Sequence, residues 1–187
     1  VLGTVYYEYN SKFEDLVEIE IIKKLIMKNI YIITLMVIFV SCETTVKPEN
    51  QTGHIQGDDT KSLRIDAFND AYLANDMTGQ DALFTDDAVA QVNSEEMAPS
   101  EMIEAFMGGR EFYNDIKNLD RATATFSFDE GSIYTCTWFD WEGTSKSTGV
   151  VVGNPVHAWF KWDGDKVSEV AYIFDSAQYV ENMSQME

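Results

Sequence analysis

The spacing of apolar residues changes once along the chain, from the period of a helix to the period of a strand. From Ser62 they recur every three or four positions, which predicts an amphipathic helix with one buried face, capped by Ser62 or Thr60. The residues of this face are Leu63, Ala67, Phe68, Ala71 and Tyr72. A short second helix at Gly79–Phe84 and a short strand at Ala88–Val92 are predicted to follow.

A third helix is predicted to begin at Pro99. Proline is favoured at the first helical position, and Glu101 and Glu104 lie in the first turns, where the helix dipole favours negative charge. Gly108 and Gly109 mark a place where this helix can bend. Its apolar stripe consists of Met102, Ile103, Phe106, Tyr113 and Ile116.

Beyond Leu119 the period becomes two, which predicts four strands: "RATATFSFD", "SIYTCTWFDW", "STGVVVGNPVHAWFKWD" and "KVSEVAYIFD". The segment "WDGDK" (Trp162–Lys166) predicts a tight hairpin between the last two. Residues 153–155, Gly-Asn-Pro, predict a bulge or bend that curves the sheet. Three helices followed by four strands predict an α+β fold, with the helices on one face of an antiparallel sheet.

The most apolar stretch of the chain ends at a cysteine. Ile30–Val40 is about half of the roughly 20 residues that a membrane-spanning helix needs, and it follows the lysine-rich segment 23–28, as in a secretory signal peptide. The letters "FVSC" (Phe39–Cys42) resemble the lipobox of bacterial lipoprotein signals, which implies cleavage before Cys42 and attachment of lipid to it. The alternative is a buried helix of the folded domain, but this segment shows no helical alternation.

These features predict four parts. Residues 1–26 are upstream sequence from a misplaced start or a true extension, and residues 27–41 are a lipoprotein signal peptide that begins at Met27. Residues 42–61 are polar and have the composition of a flexible tether, and residues 62–187 form one folded domain. The predicted location is the bacterial cell envelope, anchored to a lipid membrane through Cys42, with the choice of membrane and side left open.

Charge and composition narrow the classes of partner. The net charge of −19 at pH 7 disfavours nucleic acid, because an acidic surface repels phosphates. Cys136 is the only cysteine besides Cys42, so no intramolecular disulfide is expected. No cofactor is expected, since there is no phosphate-binding glycine loop, and no metal is expected, since His54 and His157 lack ligand spacing.

Two segments resemble the nuclear transport factor two-like superfamily, and its SnoaL-like branch in particular. They are "LFTDDAV" (Leu83–Val89) and "HAWFKWDGDKV" with "YIFD" (His157–Asp175), and the resemblance covers about Ser62–Asn182. It implies a cone, in which a curved sheet wraps the three helices around a deep and mostly apolar pocket. The aromatic residues that can line this pocket and bind a ligand are Phe68, Tyr72, Phe106, Tyr113, Trp138, Trp159 and Tyr172.

The resemblance does not extend to the catalytic residues of ketosteroid isomerase. Counted from the Asp86 and Asp87 pair, the base would fall on Val92 and the tyrosine on Phe68, and neither can perform that chemistry. The acid would fall on His157 or its neighbour, depending on the alignment. Asp86 and Asp87 themselves are interpreted as turn residues.

His157 and Asp175 remain as candidate catalytic residues. His157 can act as a general base near neutral pH if it faces the pocket, and alternation alone does not say which face it occupies. Asp175 can pair with it or can cap the helix predicted in "DSAQYVENM".

Three hypotheses about function follow. The first is a membrane-tethered domain that binds a small apolar or aromatic molecule, without a recognisable catalytic set. The second is a SnoaL-like hydrolase, isomerase or dehydratase that uses His157 and Asp175. The third is an interaction module that forms a homodimer through the open face of the sheet.

Overall fold

The structure, a computed structural model, describes residues 23–24 and 52–184. Lys23 and Lys24 are helical and exposed. The predicted signal peptide, Cys42 and the first part of the predicted tether lie outside the described residues, so those predictions stay predictions. In the described ranges, no helix has the length and apolarity that a membrane span requires.

Residues 52–184 begin with a strand and end with a helix, and two further helices lie between strands. The helices are α1 (Thr60–Leu73), α2 (Pro99–Gly108) and α3 (Ala177–Ser184), with single 3₁₀ turns at Gln80–Leu83 and Gly109–Glu111. The strands are β1 (Gly53–Gln56), β2 (Phe84–Val92), β3 (Glu95–Met97), β4 (Tyr113–Phe128), β5 (Ile133–Ser145), β6 (Val151–Asp163) and β7 (Lys166–Phe174).

In this described segment, seven strands form one curved, unclosed sheet in the order β1-β4-β5-β6-β7-β2-β3. Strand β2 runs parallel to β7, and the other neighbours are antiparallel. The predicted hairpin between the last two long strands is confirmed, with Asp163 paired to Lys166 and Gly164 in the turn at φ 58°. The α+β class and the cone-shaped curved sheet are therefore confirmed.

The sheet bends at places that the sequence did not predict. The predicted bulge at residues 153–155 is wrong, because β6 pairs with β5 in unbroken register from Val151 to Lys161. Pro155 is tolerated since it lies just beyond the last β6–β7 pair and so has a ladder partner on one side only. The register shifts of β4 instead lie around Asp115 and Asp120, which adopt positive φ angles of 51° and 50°.

Three predicted element boundaries are also corrected. The predicted second helix is a single 3₁₀ turn, and β2 begins at Phe84 rather than Ala88. Helix α2 ends at Gly108, so that Tyr113 and Ile116, predicted in the helix, lie in β4. Two apolar positions at the junction fit the period of a helix and also that of a strand, so the sequence alone could not assign them to β4.

The beginning of the folded domain lies upstream of the predicted position. Residues Gly53–Gln56, predicted to belong to the tether, form β1 on the edge of the sheet against β4. The cap of α1 is Asp59, whose carboxylate accepts the backbone N–H groups of Lys61 and Ser62 at 2.8 and 3.2 Å. Ser62, one of the two predicted caps, instead bonds to the carboxylate of Asp59 through its hydroxyl at 2.7 Å.

The core lies between the inner face of the sheet and helices α1 and α2. Ile65 and Phe68 of α1 and Met102 of α2 are almost completely buried, and each such side chain contributes about 1.5–3 kcal/mol relative to exposure. The ring of Phe68 meets the rings of Phe84 and Phe160 edge to face, at centroid distances of 5.9 and 6.2 Å. The two helices thus cover the inner face, and the cavity described below lies between them and the sheet.

Candidate ligand-binding cavity

A cavity of about 210 Å³ opens between α1, α2 and the inner faces of β5, β6 and β7. Its walls are mainly aromatic and aliphatic. The fifteen described residues that line it are Phe68, Asn69, Tyr72, Met77, Val92, Ile103, Ala105, Phe106, Phe139, Trp141, Asn154, Val156, Tyr172, Phe174 and Tyr179. None of these fifteen carries a charge.

The aromatic walls contact one another edge to face. The ring of Phe106 lies 4.9 Å from that of Tyr172 and 6.4 Å from that of Tyr72. Tyr172 also meets Phe160 in the core at 5.9 Å. Such ring pairs stabilise a defined arrangement beyond their buried area, so the cavity has walls of fixed shape.

Two contacts hold Tyr72 in position at the end of α1. The indole Nε1 of Trp141 donates a hydrogen bond of 3.1 Å to the Tyr72 hydroxyl. The guanidinium of Arg110 donates to the backbone oxygens of Tyr72 and Leu73 and lies 5.1 Å from the centre of the Tyr72 ring. A cation at the carboxyl end of a helix complements the helix dipole, and here it also fixes one wall of the cavity.

Two other polar groups of the cavity have no such partner. Asn154 is only 7% exposed, and Tyr172 is only 5% exposed. Within residues 52–184, neither the Asn154 amide nor the Tyr172 hydroxyl makes a hydrogen bond. Asn69 differs, because its amide donates to the Ile65 oxygen within α1 at 3.1 Å.

The tyrosine hydroxyls of the cavity stay protonated over the physiological range. Burial raises the pKa of Tyr72 and of Tyr172 above the ordinary value, and the nearby Tyr72 adds to the rise at Tyr172. Burial, together with Tyr72 and Tyr113, raises the pKa of Tyr179 to about 12. These phenols can therefore donate hydrogen bonds to a ligand.

Helix α3 closes one side of the cavity through Tyr179. The Tyr179 ring stacks on that of Tyr113 at 4.9 Å and 14°, and the Tyr113 hydroxyl donates to the Tyr179 backbone oxygen at 2.7 Å. Gly109 makes room for this arrangement, since a Cβ there would lie 2.3 Å from the Tyr179 hydroxyl. Tyr113 thus supports the wall from behind rather than lining the cavity.

The structure divides the seven aromatic residues predicted to bind a ligand. Four of them, Phe68, Tyr72, Phe106 and Tyr172, line the cavity. Tyr113 is buried behind it, and Trp138 and Trp159 lie on the outer face of the sheet. Strand alternation turns those two tryptophans away from this cavity, so they do not line it.

His157 and Asp175 are not brought together. His157 lies on the outer face, where its ring stacks on that of Trp138 at 5.3 Å and 24°. Asp175 is exposed after β7, and its carboxylate accepts the backbone N–H of Ala177 at 2.9 Å, as a residue that caps α3 does. Neither side chain lines the aromatic cavity, and their predicted catalytic roles stay predictions.

Sequence reasoning missed Trp141 and Asn154, which face each other as partners in the β5–β6 ladder. A usable signal exists in β6, whose residues 152, 156, 158, 160 and 162 are all apolar. The opposite face carries Gly153, Pro155, His157 and Lys161. Summing each face over the full strand identifies the inner one and places Asn154 on it.

The charged residues give no metal site in the part of the chain that is described. No group of three or more histidine, cysteine or acidic side chains there could hold a metal ion. Asp86 and Asp87 are exposed in β2 rather than in a turn. The polar groups that line the cavity are therefore uncharged: they are indole, amide and phenol groups within apolar walls.

Comparison with known proteins identifies the fold. The chain matches no protein-family model and no curated protein sequence. It is similar in structure to a protein from Pseudomonas putida provisionally assigned as a polyketide cyclase, with 21% identity, a TM-score of 0.51, and coverage of 64% of this chain and 94% of that one. A second such protein, from Xanthomonas campestris, gives 14% identity, a TM-score of 0.53, and coverage of 65% and 94%.

A third similar structure comes from Catenulispora acidiphila. It is a hypothetical protein with a ketosteroid isomerase-like fold in complex with trimethylamine, with 10% identity, a TM-score of 0.51, and coverage of 65% of this chain and 92% of that one. Residues 52–184 thus share the ketosteroid isomerase-like cone fold of these structures, which is the fold that the resemblance in the sequence implied. At these identities the likeness defines the fold and not the activity.

Proposed function

We propose that this protein is a binding domain for a small, largely apolar molecule. The observation that carries the proposal is the cavity itself, with aromatic walls, no charged group among its described lining residues, and a volume of about 210 Å³. An apolar cavity of about 150 Å³ accommodates benzene, so this one has room for a substituted ring or two fused rings. Enclosed apolar cavities with a few polar groups are the usual form of small-molecule sites.

The proposal is tested by titrating the protein with naphthalene and following the backbone amide signals by NMR. We expect signals from residues that line the cavity to shift, and we expect Ala105→Trp, at the mouth on α2, to weaken binding by blocking entry. Ala82→Trp, an exposed alanine outside the cavity, is the matched control and should bind as the wild type does. Absence of naphthalene binding, or equal binding by both variants, would contradict the proposal.

The enzyme hypothesis has less support. An acid-base reaction in the cavity needs a group that can accept a proton near neutral pH, and the described lining residues offer phenols, amides and an indole instead. His157 and Asp175, which were to supply this chemistry, lie outside the cavity. Binding of a small molecule requires only the apolar walls and the polar groups that are present.

We also propose that the domain is held at a bacterial membrane by lipid on Cys42. The support is the order of basic segment, apolar run and "FVSC" in the sequence. Expression in a bacterial host followed by mass spectrometry of the mature protein tests this: an N-terminal Cys42 carrying acyl chains is expected, and Cys42→Ser should leave the membrane fraction. Wild-type protein that keeps residues 27–41, or that carries no lipid, would contradict the anchor.

A second candidate function, assembly into a homodimer, is favoured by the outer face of the sheet. Trp138, Ile173 and Ile55 on this face are 37%, 55% and 62% exposed, and Trp159 and Tyr134 lie between them with ring centroids 5.9 Å apart. We propose that a second copy of this chain covers this face. Dimerisation and ligand binding use opposite faces of the sheet, so the two proposals are compatible.

A further inference from the structure

The unpaired polar groups of the cavity bear on the chemistry of its ligand, an inference that rests on the proposed binding function. Asn154 and Tyr172 are more than nine-tenths buried and line the cavity. Within the described segment, neither side chain has a hydrogen-bond partner. Their polar atoms are not sealed off, as the unpaired polar atoms of Thr85 and Asn118 are, but are reached from the cavity. Polar groups at such nearly buried positions are usually paired, so the partners of these two are molecules that enter the cavity.

The absence of charge along the described walls restricts those molecules further. A charged ligand would lose its hydration on entry, and none of the fifteen described lining residues could offer an ion pair in return. The polar atoms available are the amide of Asn154, which donates and accepts, and phenol groups that donate; the Trp141 indole N–H is already used by the Tyr72 hydroxyl. These groups suit an uncharged oxygen such as a ketone or a hydroxyl.

The two unpaired groups lie at different points along the inner face. Asn154 is paired with Trp141 in the β5–β6 ladder, and Tyr172 is paired with Ala158 in the β6–β7 ladder. Asn154 and Ala158 are four residues apart on β6, so the backbone of Asn154 lies about 13 Å along the strand from the position that pairs with Tyr172. Each group has an aromatic neighbour, Trp141 beside Asn154 and Phe106 beside Tyr172, so a ring can stack while its oxygen is hydrogen-bonded.

We propose that Asn154 and Tyr172 are the specificity-determining residues of the cavity, and that they select uncharged, ring-containing molecules that carry a ketone or hydroxyl oxygen. The apolar side chains of the walls supply affinity through contact without discriminating between polar substituents. Tyr72 differs from Tyr172, because its hydroxyl already accepts the Trp141 indole N–H.

The test compares four naphthalene derivatives of similar size by isothermal titration calorimetry with the full protein. They are naphthalene, 2-acetylnaphthalene, the anion 2-naphthoate and the cation 2-naphthylmethylammonium. For the wild type we expect 2-acetylnaphthalene to bind about 10-fold more tightly than naphthalene, as for one hydrogen bond gained in a buried site. Both charged derivatives should bind more weakly than naphthalene.

Two nearly isosteric variants assign this selectivity to residues. Asn154→Leu and Tyr172→Phe should each keep naphthalene affinity within about threefold, and at least one of them should abolish the preference for 2-acetylnaphthalene. The matched controls are Asn114→Leu, an exposed asparagine of β4, and Tyr134→Phe, on the outer face; both should keep the wild-type preference. Thermal melts of all four variants show whether each is folded at the assay temperature.

The outcomes separate this inference from the binding function. If naphthalene binds but the ketone gives no gain, if 2-naphthoate binds best, or if both cavity variants keep the wild-type preference, the inference is overturned while the binding function stands. If none of the four compounds binds to the folded wild type, both are contradicted. A loss of naphthalene binding by a folded Asn154→Leu or Tyr172→Phe variant also overturns the inference, because the residue would then shape the cavity rather than select the ligand.

Discussion

Tyr172 combines deep burial with a hydroxyl that no described residue engages. Its ring is fixed by Phe106 and Phe160 at centroid distances of 4.9 and 5.9 Å. Ionising such a phenol would leave a charge in apolar surroundings, which is why burial raises the pKa of Tyr172 far above its usual value. The consequence is a measurable dependence of stability on pH in the alkaline range.

We predict that the free energy of unfolding falls as pH rises above about 10, the pKa of tyrosine in an unfolded chain. There the unfolded state releases the Tyr172 proton and the native state keeps it, so fewer protons are bound after unfolding and rising pH favours unfolding. Tyr172→Phe removes this contribution, and its stability should fall less steeply, by up to about 1.4 kcal/mol per pH unit. Urea denaturation between pH 8 and pH 11.5 measures both slopes.

The control lies in the same data. Below pH 9 the tyrosine is protonated in both states, so the stability curves of wild type and Tyr172→Phe should run parallel there. Curves that remain parallel up to pH 11.5 would mean that Tyr172 ionises as easily in the native protein as in the unfolded one, which would contradict its burial.

At the scale of single residues, the sequence predicted that aromatic side chains line the site, but it identified only some of them. Phe68, Tyr72, Phe106 and Tyr172 follow from helical and strand periods, because those periods place them on apolar faces. Trp138 and Trp159, which do not line this cavity, were included because both faces of β5 and β6 are rich in aromatic residues, and size alone does not tell which face meets the helices. Asn154 was overlooked since an isolated asparagine beside Gly and Pro resembles a turn.

Elements were predicted where their period was long and uninterrupted. Helix α1 and strands β5, β6 and β7 span nine or more residues each, and β5 and β6 alternate without a break between more and less buried positions, which averages over single exceptions. The predicted buried face of α1 is only partly right, because Leu63 and Ala67 are exposed and Ile65 is buried. Strand β1 was not predicted because its four residues, Gly53–Gln56, expose most of their surface and depend on pairing with β4. Edge strands of this kind are specified by backbone hydrogen bonds to a neighbour, which leave no hydrophobic period.

The junction between β1 and α1 depends on Asp59. Burial opposes its ionisation, but hydrogen bonds from the Ser62 hydroxyl and from the backbone N–H groups of Ser62 and Lys61 outweigh that effect and lower the pKa of the carboxyl. The Ser62 hydroxyl in turn lies 2.9 Å from that of Thr125 on β4. The cap therefore connects the start of the helix to the sheet that it covers.

We predict that Asp59→Ala lowers the free energy of unfolding at pH 7 by about 1 kcal/mol, the usual value of a lost N-cap. Asp58→Ala, the exposed neighbour, is the matched control and should stay within about 0.5 kcal/mol of the wild type. Because the folded pKa of Asp59 is lowered, its contribution is present above the unfolded value of about 3.9 and is lost as pH falls through the folded pKa. The stabilities of Asp59→Ala and wild type, measured by urea denaturation, should therefore converge in acid; a constant difference would contradict an ionised cap.

For the molecule as a whole, the two faces of the sheet have different surroundings. The inner face is covered by helices and contains the cavity, whereas the outer face carries Phe126, Trp138, His157 and Trp159 with no helix of the described segment over it. The net charge of −19 makes most contacts between copies repulsive. The outer face also carries charged residues, among them the Lys161–Glu169 ion pair, but its aromatic patch is where such repulsion is weakest and where burial offers the largest gain.

We predict that the wild type is a dimer by sedimentation equilibrium and that Ile173→Lys, on the outer face near the end of β7, converts it to a monomer. Ile173 pairs with His157 in the β6–β7 ladder and is 55% exposed, so a lysine there is compatible with the folded protomer but would have to be desolvated in a dimer. Leu63→Lys on α1 is the matched control, since Leu63 is 57% exposed and lies on a helix that covers the inner face. Both variants change the net charge equally, so a general effect of charge would act on both. A monomeric wild type at 100 µM protein, or a dimer that survives Ile173→Lys, would exclude the outer face as the site of pairing and leave the cavity as the functional feature of the fold.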